Sequence, residues 1–177
     1  MRRVVVVTVL VMLATLLVTL PAASGAPDPD RAAEAARIDF NGDGFDDLAV
    51  GAPGEAVGSL FSAGAVNVLF GSADGLVPGA DLFFQGSGGV GGTAETGDGF
   101  GVAVTQGLFN DDDFFDLAVG VPGEAVGSVA GAGAVNILYG SAGGLTGGPL
   151  FVQDNPETND SFGFSLAAGD FDGDTFF

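Results

Sequence analysis

The chain has 177 residues, 23 of them acidic and 4 basic, for a net charge of −19. That balance repels nucleic acid and anionic lipid headgroups, which both need Lys and Arg against phosphate. With no Cys, His or Lys in the sequence, disulfides, thiol nucleophiles, imidazole bases and Schiff-base chemistry are excluded.

Met1-Arg2-Arg3, the apolar run at 4–20 and the small residues at 21–26 predict a secretory signal peptide over residues 1–26. Ser24-Gly25-Ala26 is the expected cleavage site. The run is close to spanning length, and the small-residue site after it favours cleavage over a retained anchor. The mature chain is then expected to keep no stable membrane span and to be secreted, extracellular or at a cell surface. Residues 27–37 form a linker with a helix-favouring Ala-rich end. Roughly 150 residues follow, one domain's worth.

Residues 39–53, DFNGDGFDDLAVGAP, read as a cation-binding turn running into a strand. Asp39, Asn41, Asp43 and Asp47 fall at odd positions of a nine-residue loop, and the Phe45 carbonyl takes the seventh. Gly42 and Gly44 bend it. A hard cation such as Ca²⁺ takes six to eight oxygens at roughly 2.3–2.6 Å, and such a loop supplies them. The helix-flanked calcium motif needs Glu at the twelfth position. Val50 stands there, and the chain continues as an apolar LAVGAP run. The reading is a calcium loop between two strands, against the plainer alternative of a solvated Asp/Asn/Gly turn.

Further strands are expected at 48–52, 65–70 and 81–85, with a turn at 71–75 and a glycine-rich connection at 86–99. The pattern then restarts. Residues 47–76 align without gaps with 116–145, and 23 of the 30 positions are identical. A third start appears at Phe162. Fixed-period repeats mean a solenoid, propeller or array in which each unit buries a face against its neighbours. Each unit holds four short strands, one before the loop and three after it. LAVGAP and AVNVLF are apolar at nearly every position, so burial on both faces is expected, as in stacked propeller blades. A β-solenoid is the alternative, although its repeats are shorter.

The later loops depart from the first. In the second, Leu108 replaces the first-position Asp and Asp113 the turn glycine. Asn110, Asp112, the Phe114 carbonyl and Asp116 remain as a weakened site, with Asp113 expected to take the left-handed turn and Asp111 out of register. The third keeps Asp170, Asp172 and Asp174, with Thr175 at the glycine position, and ends at Phe177 before a ninth-position Asp. It is incomplete as written, which favours a truncated chain.

No catalytic constellation is read. Glu55 and Glu124 recur in PGEAVG and are expected to play one structural role each in their own repeat, in preference to acting as a glycosidase pair. The 16 Phe residues are expected to be mainly core. Asn159-Asp160-Ser161 is a formal N-glycosylation sequon.

These residues resemble the FG-GAP repeat of the integrin α-subunit β-propeller and its bacterial relatives. Phe100-Gly101 and Phe162-Gly163 match the FG element, and Gly51-Ala52-Pro53 and Gly120-Val121-Pro122 the GAP element, with the calcium loop between them. The first unit lacks its Phe-Gly. The resemblance implies an all-β, seven-bladed propeller with Ca²⁺ in blade-edge loops, used in adhesion or ligand binding. Blades are expected over 38–99 and 100–161, with a truncated third at 162–177. A closed propeller needs typically four to eight blades, so other blades, from missing chain or further copies, would be needed to close it. The expected role is calcium-stabilised binding of an extracellular protein or carbohydrate, without catalysis. The alternatives are a non-catalytic accessory module of a secreted hydrolase, or a remnant without function.

Overall fold

The computed structural model describes residues 37–77, 81–110 and 112–169. The expected signal peptide, the linker up to residue 36, Asp111 and the third-loop residues Asp170, Asp172 and Asp174 lie outside the described residues.

Seven strands follow one another: β1 (Leu48–Ala52), β2 (Ala65–Leu69), β3 (Asp81–Phe83), β4 (Val104–Gly107), β5 (Asp116–Val121), β6 (Ala134–Tyr139) and β7 (Thr146–Phe151). They form two antiparallel meanders, β1-β2-β3 and β4-β5-β6-β7. The expected third strand stops two residues early, at Phe83. Among the described residues no helix is long and apolar enough to cross a membrane.

The repeat in sequence is a repeat in register. Leu48 pairs with Leu69 and Ala52 with Ala65; their equivalents Leu117 with Leu138 and Val121 with Ala134 pair identically. Side chains alternate across each strand, so each sheet has two faces. Ala49, Val66, Val68 and Phe83 of the first sheet meet Leu117, Val119, Leu138 and Leu150 of the second in the main core, with Phe40 and Phe100. The far face of the second sheet, Ala118, Val135 and Ile137, is covered by Phe109, Tyr139 and Leu166.

Burial on both faces holds for the second sheet only. Every residue of β5 is buried, whereas Leu48 and Val50 of the near-identical β1 are each 43% exposed. The difference is the neighbour. The first sheet covers Leu117 and Val119, and nothing among the described residues covers Leu48 and Val50. The phenylalanines divide in the same way: Phe40, Phe83, Phe100 and Phe115 are core, and Phe61, Phe151 and Phe164 are exposed.

The Phe-Gly dipeptides are latches between repeats. Phe100 N–H donates to Ala63 O at 2.9 Å, and Gly101 N–H to Gly120 O at 3.0 Å. Gly101, at φ +90°, lies against Gly51, so a Cβ on Gly51 would collide with the Gly101 carbonyl oxygen. The next repeat does the same. Phe162 N–H donates to Ala132 O at 2.9 Å, and Gly163 seats on Gly120. Each Phe-Gly therefore docks on the Gly-x-Pro and Ala-Gly-Ala segments of the repeat before it.

Candidate metal centre

The first loop is organised by its own carboxylates. Gly42 and Gly44 take φ of +70° and +89°, a region glycine occupies without Cβ strain. The Asp39 carboxylate gathers the amides this turn exposes: Gly42 N–H at 2.7 Å, Gly44 N–H at 2.8 Å and Asp43 N–H at 3.2 Å. Asn41 Oδ1 accepts from Asp43 N–H at 3.0 Å, and Asp43 Oδ1 from Phe45 N–H at 3.0 Å. Asn41 Nδ2 donates to Asp43 Oδ2. Asp47 works differently. It is buried, and its two oxygens accept from Phe40 N–H at 2.7 Å and Gly71 N–H at 2.8 Å, clamping the loop to the end of β2.

Among the described residues, no three His, Cys, Asp or Glu side chains converge as a metal-holding group. The donor chemistry of the first loop nonetheless fits a hard cation. Its side-chain acceptors and the Phe45 carbonyl are all oxygens, and three of the residues carry a carboxylate. A cation would compete with the loop amides for Asp39 and Asp43.

The second loop repeats the ladder and the clamp without the gatherer. Asn110 Oδ1 accepts from Asp112 N–H at 3.1 Å, and Asp112 Oδ1 from Phe114 N–H at 2.9 Å. Asp116 accepts from Phe109 N–H at 2.8 Å and Gly140 N–H at 2.9 Å. Leu108 packs against the core where Asp39 held three amides. The expected left-handed turn at Asp113 is absent: the non-glycine residues with positive φ among those described are Ser62, Asn159 and Ser161. Left-handed backbone costs about 1–2 kcal/mol for a side-chain-bearing residue, and no carboxylate at 108 offsets it.

The two loops touch. Phe115 N–H donates to Asp39 O at 3.2 Å and Ser141 N–H to Phe40 O at 3.1 Å. The Phe114 ring lies on Gly42, where a Cβ would stand 2.6 Å from Cε1. Between them is a pocket of about 250 Å³ lined by Arg37, Asp39, Gly42, Gly44, Asp113, Phe114 and Phe115. The first loop thus sits on the seam between the sheets.

A second polar cluster lies at the other end of the strands, and spacing arguments missed it. Gln85 Nε2 donates to Glu124 Oε2 at 2.6 Å, and Asp98 Oδ2 accepts from Glu95 N–H at 2.5 Å. The turn after β5 rests on the one before Phe100, with Gly123 N–H donating to Asp98 O at 2.9 Å. The available signal was Glu-Thr-x-Asp before each Phe-Gly, at 95–98 and 157–160. Glu157 N–H donates to Asp160 Oδ2 at 2.6 Å in the same way. The equal roles expected for Glu55 and Glu124 do not hold. Glu55 is exposed and Glu124 buried, because only the later turn is packed under residues 97–98.

Burial raises the Asp98 and Glu124 carboxyls above their ordinary range, and repulsion from Asp98 and Glu95 adds to the rise at Glu124. Groups with a raised folded pKa bind protons more tightly in the fold than in the unfolded chain. Their deprotonation therefore costs stability as pH climbs through the folded value. In metal-free buffer the melting temperature is expected to rise as pH falls from about 8 toward 5, still above the unfolded carboxyl range near 3.9–4.3. A falling melting temperature across that window would contradict the buried, uncompensated state of these carboxyls.

Comparison with known proteins places the chain among relatives. The FG-GAP repeat family model matches residues 32–69. The chain is 38% identical over 141 residues to phosphatidylinositol-glycan-specific phospholipase D of Rattus norvegicus, covering 78% of this chain and 17% of that protein. It is 34% identical over 139 residues to integrin alpha-6 of Gallus gallus, covering 76% and 11%. To integrin alpha-PS5 of Drosophila melanogaster it is 34% identical over 146 residues, covering 78% and 13%. The chain thus spans about a sixth or less of the length of these relatives.

Proposed function

From the premise that this chain is an FG-GAP repeat protein, its two sheets being blades of a partial β-propeller, we propose that it is a secreted, calcium-stabilised binding module. Its ligand is an extracellular protein or carbohydrate, and Ca²⁺ is structural in the first loop, held by Asp39, Asn41, Asp43, Asp47 and the Phe45 carbonyl. The observation that carries this reading is the oxygen-only, glycine-bent donor set on the seam, whose Asp39 and Phe40 carbonyls are bonded to the second sheet. A cation that stiffens this loop stiffens the contact between blades. The second loop, with Leu108 in the core, holds no ion in this reading.

Extracellular loops of this class bind Ca²⁺ at about 10⁻⁴–10⁻³ M. At about 10 mM Ca²⁺, linkage then adds about 1.4–2.7 kcal/mol of stability. Calorimetric titration of the full chain and melting with and without Ca²⁺ test this. Asp43→Ala is expected to abolish the first-loop ion and its share of the rise in melting temperature. An unchanged titration in that variant would remove the first loop as the site.

A second reading is favoured by the similarity to a phospholipase D of which the chain spans about a sixth. Here the same module is a non-catalytic accessory part of a larger hydrolase. In both readings the chain itself is not an enzyme, and its negative surface keeps it off nucleic acid.

A further inference from the structure

We propose that the seam cluster of Gln85, Asp98 and Glu124 is a second cation site, distinct from the calcium loop, that ties the last segment of one blade to the β5–β6 turn of the next. All three side chains are at least nine-tenths buried, with exposures of 2%, 1% and 9%. Gln85 commits its Nε2 to Glu124, and its Oε1, on the same amide, has no donor. Asp98 takes one backbone amide and Glu124 one side-chain amide. Acceptor capacity is therefore left over in a dry seam, with two carboxylates repelling each other.

Among the described residues, no side chain at the seam supplies the opposite charge. Arg37 is the one basic residue described, and it lines the pocket at the opposite end of the strands. A neutral donor such as water could satisfy the orphaned amide oxygen, but it would leave the paired negative charge uncompensated. A hard cation meets both needs, because it takes oxygen donors alone and neutralises the pair. Two carboxylates and one amide oxygen, completed by water, form a looser set than the calcium loop. The parts recur. Gln153 lies two residues past the last strand of the second sheet, as Gln85 does past that of the first, and it donates to Asp160, the counterpart of Asp98.

The test is Ca²⁺ binding by equilibrium dialysis and calorimetry on the full chain. The unaltered chain is expected to bind one ion beyond that of the first loop. Glu124→Gln should remove this ion and leave the Asp43-dependent one, whereas Asp112→Ala in the second loop should change neither. In Asp43→Ala the seam ion should persist. Unchanged stoichiometry in Glu124→Gln overturns the proposal. If that variant fails to fold, Asp98→Asn replaces it under the same criteria. On the unaltered chain alone, binding of a single ion that Asp43→Ala abolishes also overturns the proposal. It is overturned equally if Asp43→Ala melts higher with acid but is indifferent to Ca²⁺, since the carboxylates would then share a proton. A Glu124-dependent ion on the unaltered chain with no Asp43-dependent one beside it would instead count against the calcium loop.

Discussion

Gly120→Ala is expected to cost about 3 kcal/mol or more, because the added methyl has nowhere to go. A Cβ at Gly120 would fall inside the Gly163 carbonyl oxygen, a backbone atom fixed by the Phe162-Gly163 latch. Overpacking against movable side chains costs about 1–3 kcal/mol, and backbone cannot rotate away as a side chain does. For a domain of this size the loss corresponds to a fall in melting temperature of about 6–12 °C. Gly51→Ala, facing Gly101 at the preceding seam, should behave alike. Gly54→Ala is the control, since its Cβ would meet nothing within 4 Å. It should stay within about 0.5 kcal/mol of the parent. Equal melting of the Gly120 and Gly54 variants would show that the latch is not tight.

Asp116→Ala is expected to cost about 2–4 kcal/mol. The residue is fully buried, and its carboxylate is the acceptor for Phe109 N–H and Gly140 N–H, one from each side of β5. Alanine strands both amides, at about 1–3 kcal/mol each. Part of that is offset, because burial already raises the carboxyl and disfavours its charge. Asp116→Asn keeps one acceptor oxygen and should fall between. Amide hydrogen exchange at Phe109 and Gly140 is the local readout. Exchange unchanged in Asp116→Ala would show that the clamp does not hold those amides.

The strands were legible because β-branched apolar runs bounded by Gly and Pro recur at one fixed offset. The first loop was legible as a donor set. The role of Asp47 and Asp116 was not. Gly71 and Gly140 lie 24 residues further on, and no spacing rule reaches across a strand and its turn. Leu108 read as a lost ligand, whereas its gain as a core side chain depends on the second sheet packing there. Gln85, Asp98 and Glu124 belong to three segments that chain order separates, so their meeting is a product of the seam. The exposure of Leu48 and Val50 was illegible for a related reason: residues identical to their buried counterparts differ only in what stands beside them.

The Phe-Gly latch has a consequence for how such chains can be cut and rejoined. Each dipeptide opens one repeat in sequence but completes the hydrogen bonding of the previous one, through Ala63 and Ala132. The unit that is copied and the unit that melts are therefore out of phase. A fragment excised just before Phe100 would leave its sheet unlatched, and a graft of 100–161 would carry a latch for a sheet it lacks. Shuffling of modules is better served by joints just after Gly101 and Gly163, so that each sheet keeps the Phe-Gly that latches it.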